Sequence, residues 1–280
     1  MSTTRVADKL IAYLVEIGVR DMFVVSGGGA IFFDDAILKN ESVTYYCCHH
    51  EQAVAMASEA YARVTNSIGV SVVTTGPGGT NAITGVAGSW IDSIPHLVLS
   101  GQVFLKQTIA KSGLRQLGVQ EINIIDLVRP ITKYAVMVER PEDALFHLQK
   151  AVHLAVTGRP GPVWVDVPAD ICNAALPDEE FLEYSPDLNP GGTVPVPGAE
   201  MQLSARRVAD LLRQSRRPLM HMGQGVKISG ALEQFFSVAE SFGIPFVTAR
   251  NANQLVEWTH PLYVGRPGTF AQRGANFAVQ

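Results

Sequence analysis

The sequence predicts an α/β protein: a doubly wound parallel sheet followed by an incomplete Rossmann-like unit. Three observations predict the α/β class. Short apolar strands alternate with amphipathic helices from the start of the chain to about residue 172. The stretch "GVSVVTT" (69–75) lacks polar alternation, as a strand covered on both faces should. The connections are short, and two of them, "SGGG" and "GPGG", are glycine-rich turns that follow a strand.

The elements follow in order. Val6, Leu10, Tyr13, Leu14 and Ile17 recur at helical spacing, and Gly18 supplies a stop. "DMFVV" (21–25) and "VTYYCC" (43–48) read as strands, the second as a buried one, and "EQAVAMASEAYARVT" (51–65) reads as a helix of strong formers. After "GVSVVTT" come a loop, a small-residue helix over 81–90 and the strand "HLVLSG" (96–101). "ALFHLQKAVHLAVTG" (144–158) is an amphipathic helix, and "GPVWVDVP" (161–168) is a strand closed by proline. Domain one is thus placed at 1–172. "PDLNPGGTVPVPG" (186–198) is too rich in Pro and Gly for a regular element, so a linker is placed at 173–200. Helices at 204–214 and 230–242 and strands at 218–223 and 244–249 then open a second α/β domain, 201–280. Its ~80 residues are fewer than most such domains use, so the chain reads as truncated or as one subunit of a split protein.

Composition narrows the function. The chain has 280 residues, is 47% hydrophobic and carries a formal charge of −4. With no basic stripe, nucleic acid is not the expected partner. No apolar run approaches the ~20 residues of a bilayer span, and the N-terminus lacks the apolar core of a signal peptide. Three cysteines do not make a disulfide framework, so a reducing, cytoplasmic location is expected.

Several motifs carry possible chemistry. Cys47, Cys48, His49 and His50 are contiguous, whereas zinc ligands are spaced to converge; no protein-only metal site is expected. "GPGGTN" (76–81) lies between a buried strand and a helix, where backbone N–H groups can face a ligand. It is not a P-loop, and neither it nor "GQGVKISG" (223–230) has the dinucleotide spacing. Glu51 opens a helix at the carboxyl edge of the sheet. A carboxylate there suits the helix dipole, and its apolar neighbours also suit proton exchange with a heterocycle. Asp92, at a helix end, and Arg63, on the Glu51 helix, read as structural.

Taken together, "HHEQAVAMASEAYAR", "TTGPGGTNAITGVAGSWIDSIPHLVLSGQV", "QE", "ITKY" and "TGRPGPVWVDVPAD" resemble the acetolactate synthase group of thiamine-diphosphate enzymes. The resemblance covers residues 5 to about 172, as the pyrimidine-binding domain, and more loosely 200–280, as the beginning of the central domain. It implies that Glu51 is the glutamate that hydrogen-bonds N1′ of the cofactor's aminopyrimidine. It places Gly28 beside that ring, makes Gly76, Pro77, Gly78, Thr80 and Asn81 part of the ring-pocket loop, and sets Gln120 near the substrate. The implied reaction is decarboxylation of a 2-keto acid followed by carboligation. Alternatives are another lyase or decarboxylase on the same scaffold, or a non-catalytic partner subunit. The implied cofactors are thiamine diphosphate and Mg²⁺, with the metal ligands outside this chain, because no Gly-Asp-Gly occurs in it. FAD is left open, since "GQGVKISGA" matches only part of such a site. A homodimer or tetramer, or a second chain carrying the diphosphate-binding domain, would complete the site; the chain alone is expected to be inactive. Two departures stand out: Gly27-Gly28 replaces a Pro-Gly pair, and Val119 replaces an aromatic residue before Gln120.

Overall fold

A computed structural model describes residues 3–109, 112–186 and 198–280. The chain divides into two compact units between Val194 and Pro195. Along the first run β1 (Thr3–Arg5), α1 (Val6–Glu16), β2 (Asp21–Val24), α2 (Ile31–Lys39), β3 (Thr44–Cys47), α3 (Glu51–Thr65), β4 (Gly69–Val73), α4 (Pro77–Asp92), β5 (His96–Gln102), α5 (Ile124–Val128), β6 (Tyr134–Met137), α6 (Ala144–Val156), β7 (Pro162–Pro168), α7 (Ala169–Asn173) and β8 (Ala175–Pro177).

Among the described residues, six strands form one sheet in the order β3-β2-β4-β5-β7-β6. Every neighbouring pair in it is parallel. Period-two alternation sorts its side chains into two cores. Val70, Val72, Leu97, Leu99, Val163 and Val165 face α1, α2 and α6, where Leu10, Leu14, Phe33 and Leu148 are fully buried. Val73, Val98 and Trp164 face the other way, against Val54 and Ala55 of α3, Val86 of α4, and Ile124 and Val128 of α5. Helices therefore cover both faces, which is the doubly wound arrangement. Each large side chain so buried contributes roughly 1.5–3 kcal/mol.

Two expectations are corrected. Residues 43–48 are not a buried strand: β3 is an edge strand whose residues are all exposed, Cys47 among them. It is held by hydrogen bonding to β2 and by Tyr46, which stacks on Phe23 and donates to Asp21 Oδ1 at 3.0 Å. The stretch 173–200 is not linker throughout. β8 pairs antiparallel with β1, and Phe181 and Tyr184 are buried in the first unit. Residues 187–197 of that expected linker lie outside the described residues.

The second unit contains α8 (Ala199–Gln214), β9 (Met220–Met222), α9 (Gly225–Ile228), α10 (Leu232–Phe242), β10 (Phe246–Thr248), β11 (Tyr263–Gly265) and α11 (Arg273–Val279). Its parallel sheet runs β11-β10-β9 over a small core of Met222, Ala239 and Phe246.

Helices α3 and α4 pack with almost no space between their backbones. A Cβ on Gly85 would lie 2.5 Å from Ala55 Cβ and 2.9 Å from the Met56 nitrogen. One turn later, a Cβ on Gly88 would meet nothing within 4 Å. The two glycines should therefore respond with opposite sign. Gly88→Ala is expected to stabilise by about 1 kcal/mol through helix propensity. Gly85→Ala is expected to destabilise by roughly 1–3 kcal/mol through overpacking. Urea midpoints of the two variants against the parent check this, and equal shifts would contradict the close contact.

Candidate active site

The chain leaves β2 toward the edge strand β3 and returns on the other side of β2 as β4. The strand order thus reverses at β2, and the carboxyl ends of β2, β3 and β4 meet there. Open parallel sheets bind ligands at such a switch point. Three connections converge on it: Ser26–Gly29 after β2, Cys48–His50 after β3, and Thr74–Gly76 after β4.

The loop after β2 rests on the tip of β4. The Gly29 N–H donates to Thr74 Oγ1 at 3.0 Å, and Thr75 Oγ1 donates to the Gly101 carbonyl at 3.1 Å. A Cβ on Gly27 would lie 2.6 Å from the Thr74 side chain, so no larger residue fits in this geometry. Asp34 anchors the same loop by accepting from Ser26 Oγ at 2.8 Å, and burial pushes its carboxyl above the ordinary aspartate value. Gly28 itself is exposed, with open space where a Cβ would stand.

Glu51 is the first residue of α3, and His50 caps that helix through Nδ1, which accepts from the Gln52 N–H at 3.1 Å. Glu51 is only 9% exposed. Its Oε2 accepts from Asn81 Nδ2 of α4 at 2.9 Å, while its Oε1 accepts no hydrogen bond from any described residue. Oε1 points toward Gly78, where a Cβ would stand 3.4 Å away. The carboxylate thus has one oxygen fixed by the protein and one free for a donor.

The glycine-rich stretch is not the open loop expected over 76–81. Gly76 turns the chain with φ +62°, and α4 begins at once with Pro77 as its first residue. Gly78 is buried, and Thr80 turns its hydroxyl back to the Pro77 carbonyl at 3.2 Å. Gly76 also meets Gln120, whose carbonyl oxygen occupies the space a Cβ there would need. Gln120 holds φ +60°, rare for a residue with a side chain, and is exposed. Of the residues singled out from sequence, the structure gathers Glu51, Gly76, Gly78 and Asn81 into one contact set, with Gln120 joined through its backbone.

The bordering features play supporting parts. Asp92 accepts from Arg63 Nη2 at 2.7 Å, and Arg63 also pairs with Glu59, so this ion network ties α3 to α4. Thr74, Thr75 and Asp34 escaped the sequence reading; "TTGPGG" at the end of a strand carried a signal for the first two. A concavity of about 350 Å³ opens along β5, β6 and β7, lined by Gln102, Glu121 and Asp166 among others. Among the described residues, no group of three or more His, Cys, Asp or Glu is placed to hold a metal ion. Nor is any helix long and apolar enough to cross a membrane.

Residues 4–127 match the family model of the N-terminal TPP-binding domain of thiamine pyrophosphate enzymes, and 205–280 match that of their central domain. The chain belongs to the thiamine pyrophosphate enzymes. Similar curated proteins are acetolactate synthases. A probable acetolactate synthase large subunit of Methanocaldococcus jannaschii is 36% identical over 230 residues, covering 82% of this chain and 37% of that protein. The acetolactate synthase large subunit of Corynebacterium glutamicum is 36% identical over 233 residues, covering 82% of this chain and 35% of its own. The isozyme 3 large subunit of Escherichia coli K12 is 33% identical over 280 residues, covering 98% of this chain and 46% of its own. The chain therefore spans less than half the length of these curated relatives.

Proposed function

We propose that this chain supplies the aminopyrimidine half of a thiamine-diphosphate site. The complete enzyme, acetolactate synthase-like, would decarboxylate a 2-keto acid and join the product to a second carbonyl compound. The observation that carries the reading is Glu51: buried at the switch point, tied through Oε2 to Asn81, and open at Oε1. That arrangement fits a ring that offers an N–H donor. Gly28 presents backbone beside open space, and Gly76, Pro77, Gly78, Thr80 and Asn81 would form one wall.

When bound, thiamine diphosphate supplies the electron sink for the carbanion chemistry. The chain's own residues do the rest of this half. Glu51 would share a proton with the ring nitrogen through Oε1, and its burial would strengthen that bond. Asn81 fixes the carboxylate so that Oε1 keeps its aim. Gln120 stands at the exposed rim, where a substrate would approach. The diphosphate and Mg²⁺ ligands would come from another chain or domain, since the 280 residues contain no Gly-Asp-Gly. The proposed assembly is accordingly a homo-oligomer or a complex with such a partner, in the cytoplasm.

A second reading, a different lyase or decarboxylase on the same scaffold, is favoured by Val119, which is 84% exposed beside Gln120 where the family carries an aromatic residue. Product analysis with pyruvate on the assembled enzyme separates the two, because the first reading requires acetolactate. The half-site itself is tested by isothermal titration of this chain with thiamine diphosphate and Mg²⁺. No binding is expected in the micromolar range, and a micromolar Kd would overturn it.

A further inference from the structure

The connection from β5 to α5 leaves the sheet at Val103 and returns at Asn123, carrying Gln120 on its way back. Its outgoing and returning arms are joined by two buried side chains. Gln102 Nε2 donates to the Ile122 carbonyl at 3.2 Å and to Asp166 Oδ2 at 3.1 Å. Glu121 Oε1 accepts from the Ile109 N–H at 3.1 Å. Gly118 packs between the arms, where a Cβ would lie 2.8 Å from Val103 and 2.9 Å from the Gln107 carbonyl oxygen.

Glu121 is costly where it stands. It is 7% exposed, and its Oε2 is buried with no hydrogen-bond partner among the described residues. A buried carboxylate with half its acceptors unmet is disfavoured by several kcal/mol unless it serves something else. Its neighbour shows what it can serve. Gln120 holds a left-handed backbone with its carbonyl pressed on Gly76, a conformation that persists only when the surroundings over-determine it.

We propose that Glu121 is a positioning residue: by clasping the Ile109 N–H, its carboxylate holds the returning arm closed and so locks Gln120 against the Gly76 turn. The clasp stands on geometry alone; its consequence for substrate rests on the half-site reading above. Burial and the charge of Glu121 push the neighbouring Asp166 carboxyl up to about 7, so the clasp sits in a place that resists further negative charge.

Hydrogen–deuterium exchange on the full 280-residue chain tests the clasp without cofactor. In Glu121→Ala, peptides spanning 104–109 and 118–123 should exchange at least tenfold faster, while α3 keeps its protection. Glu121→Gln retains an acceptor for Ile109 and should restore most of it. Unchanged exchange in the alanine variant overturns the proposal. So does faster exchange at 104–109 with 118–123 unaffected, and so does loss of protection throughout the first unit. In the assembled enzyme, Glu121→Ala should raise KM for the 2-keto acid at least tenfold with kcat changed far less, and Glu121→Gln should rescue it. A fall in kcat alone counts against the link to Gln120. If the half-site reading is wrong, Glu51→Gln leaves turnover intact while the exchange results stand.

Discussion

Changing Glu51 to Gln in the assembled enzyme is expected to cost at least 10²–10⁴ in turnover, the range that a positioned proton donor or acceptor supplies. The fold should survive. Gln keeps an oxygen to accept from Asn81, whose 2.9 Å bond is the group's one side-chain tie among the described residues. The loss to stability is confined to a helix-dipole contribution of about 0.3–1 kcal/mol, since Glu51 is the first residue of α3. The amide differs where it matters, at Oε1: it cannot take up and return a proton at the strength of a carboxylate. Parallel measurement of turnover and urea midpoint separates the two effects. Unchanged turnover would favour a non-catalytic partner subunit, because a scaffold has no need for a buried carboxylate with an open oxygen. An Asn81→Ala variant should lose part of the rate through misorientation, with kcat falling rather than KM.

Much of the first unit was legible in the sequence because its signals are local. The α3 span Glu51–Thr65 follows from a run of strong helix formers that begins at a dipole-favoured carboxylate. The buried run of β4 follows from its unbroken apolar pattern. The edge strand β3 was misread for a physical reason. Tyr45, Tyr46 and Cys47 are apolar by type, and only the tertiary order of strands shows that they lie at the sheet edge and stay exposed. The β1–β8 pair could not be read either, since its partners stand about 170 residues apart and each strand is three residues long. The glycine-rich stretch was half legible: its place after a strand was clear, while the start of α4 at Pro77 depends on the proline's fixed φ and on Gly76 making the turn.

The site was legible where one residue type carries the chemistry and illegible where contacts do. Glu51 announced itself by position. The connection between Gly76 and Gln120 did not, because it is a backbone meeting across some forty residues. The same holds for Thr74, whose role is to receive an N–H from a loop on a different strand. The stretch "GPVWVDVP" reads as a strand, and that strand, β7, is fully buried. What the pattern could not show is that a carboxylate lies within that strand, wrapped by Ser100 and Gln102.

That carboxylate makes the second large prediction. Burial pushes Asp166 up to about 7, against the hydrogen bonds from Ser100 Oγ (2.5 Å) and Gln102 Nε2, which favour its ionised form. A folded-state pKa above the unfolded value of about 4 means that the folded protein binds the extra proton between those pH values. Stability from this site is therefore full below pH ~4 and is lost as pH rises to about 7, at up to ~1.4 kcal/mol per pH unit. His96 works in the opposite direction. Both of its ring nitrogens contact serines, Nε2 with Ser71 and Nδ1 with Ser89, and burial pushes its pKa down to about 3. The unfolded chain thus binds the extra proton below pH ~6.5, and stability from that site falls as pH drops. Over pH 4–6.5 the two slopes nearly cancel, so the parent should show a flat profile there. Asp166→Asn removes one of them. Relative to the parent it should gain about 3 kcal/mol between pH 5 and pH 8, being at its worst at pH 5. Over the acid range it should show the His96 slope uncovered. The amide keeps an acceptor for Ser100 but turns an N–H toward Gln102, a cost of about 1–3 kcal/mol that is the same at every pH. Urea unfolding of both proteins at pH 5 and pH 8 decides it. A difference between them that does not change with pH would mean that Asp166 is ionised throughout, and that its strand tolerates a full charge.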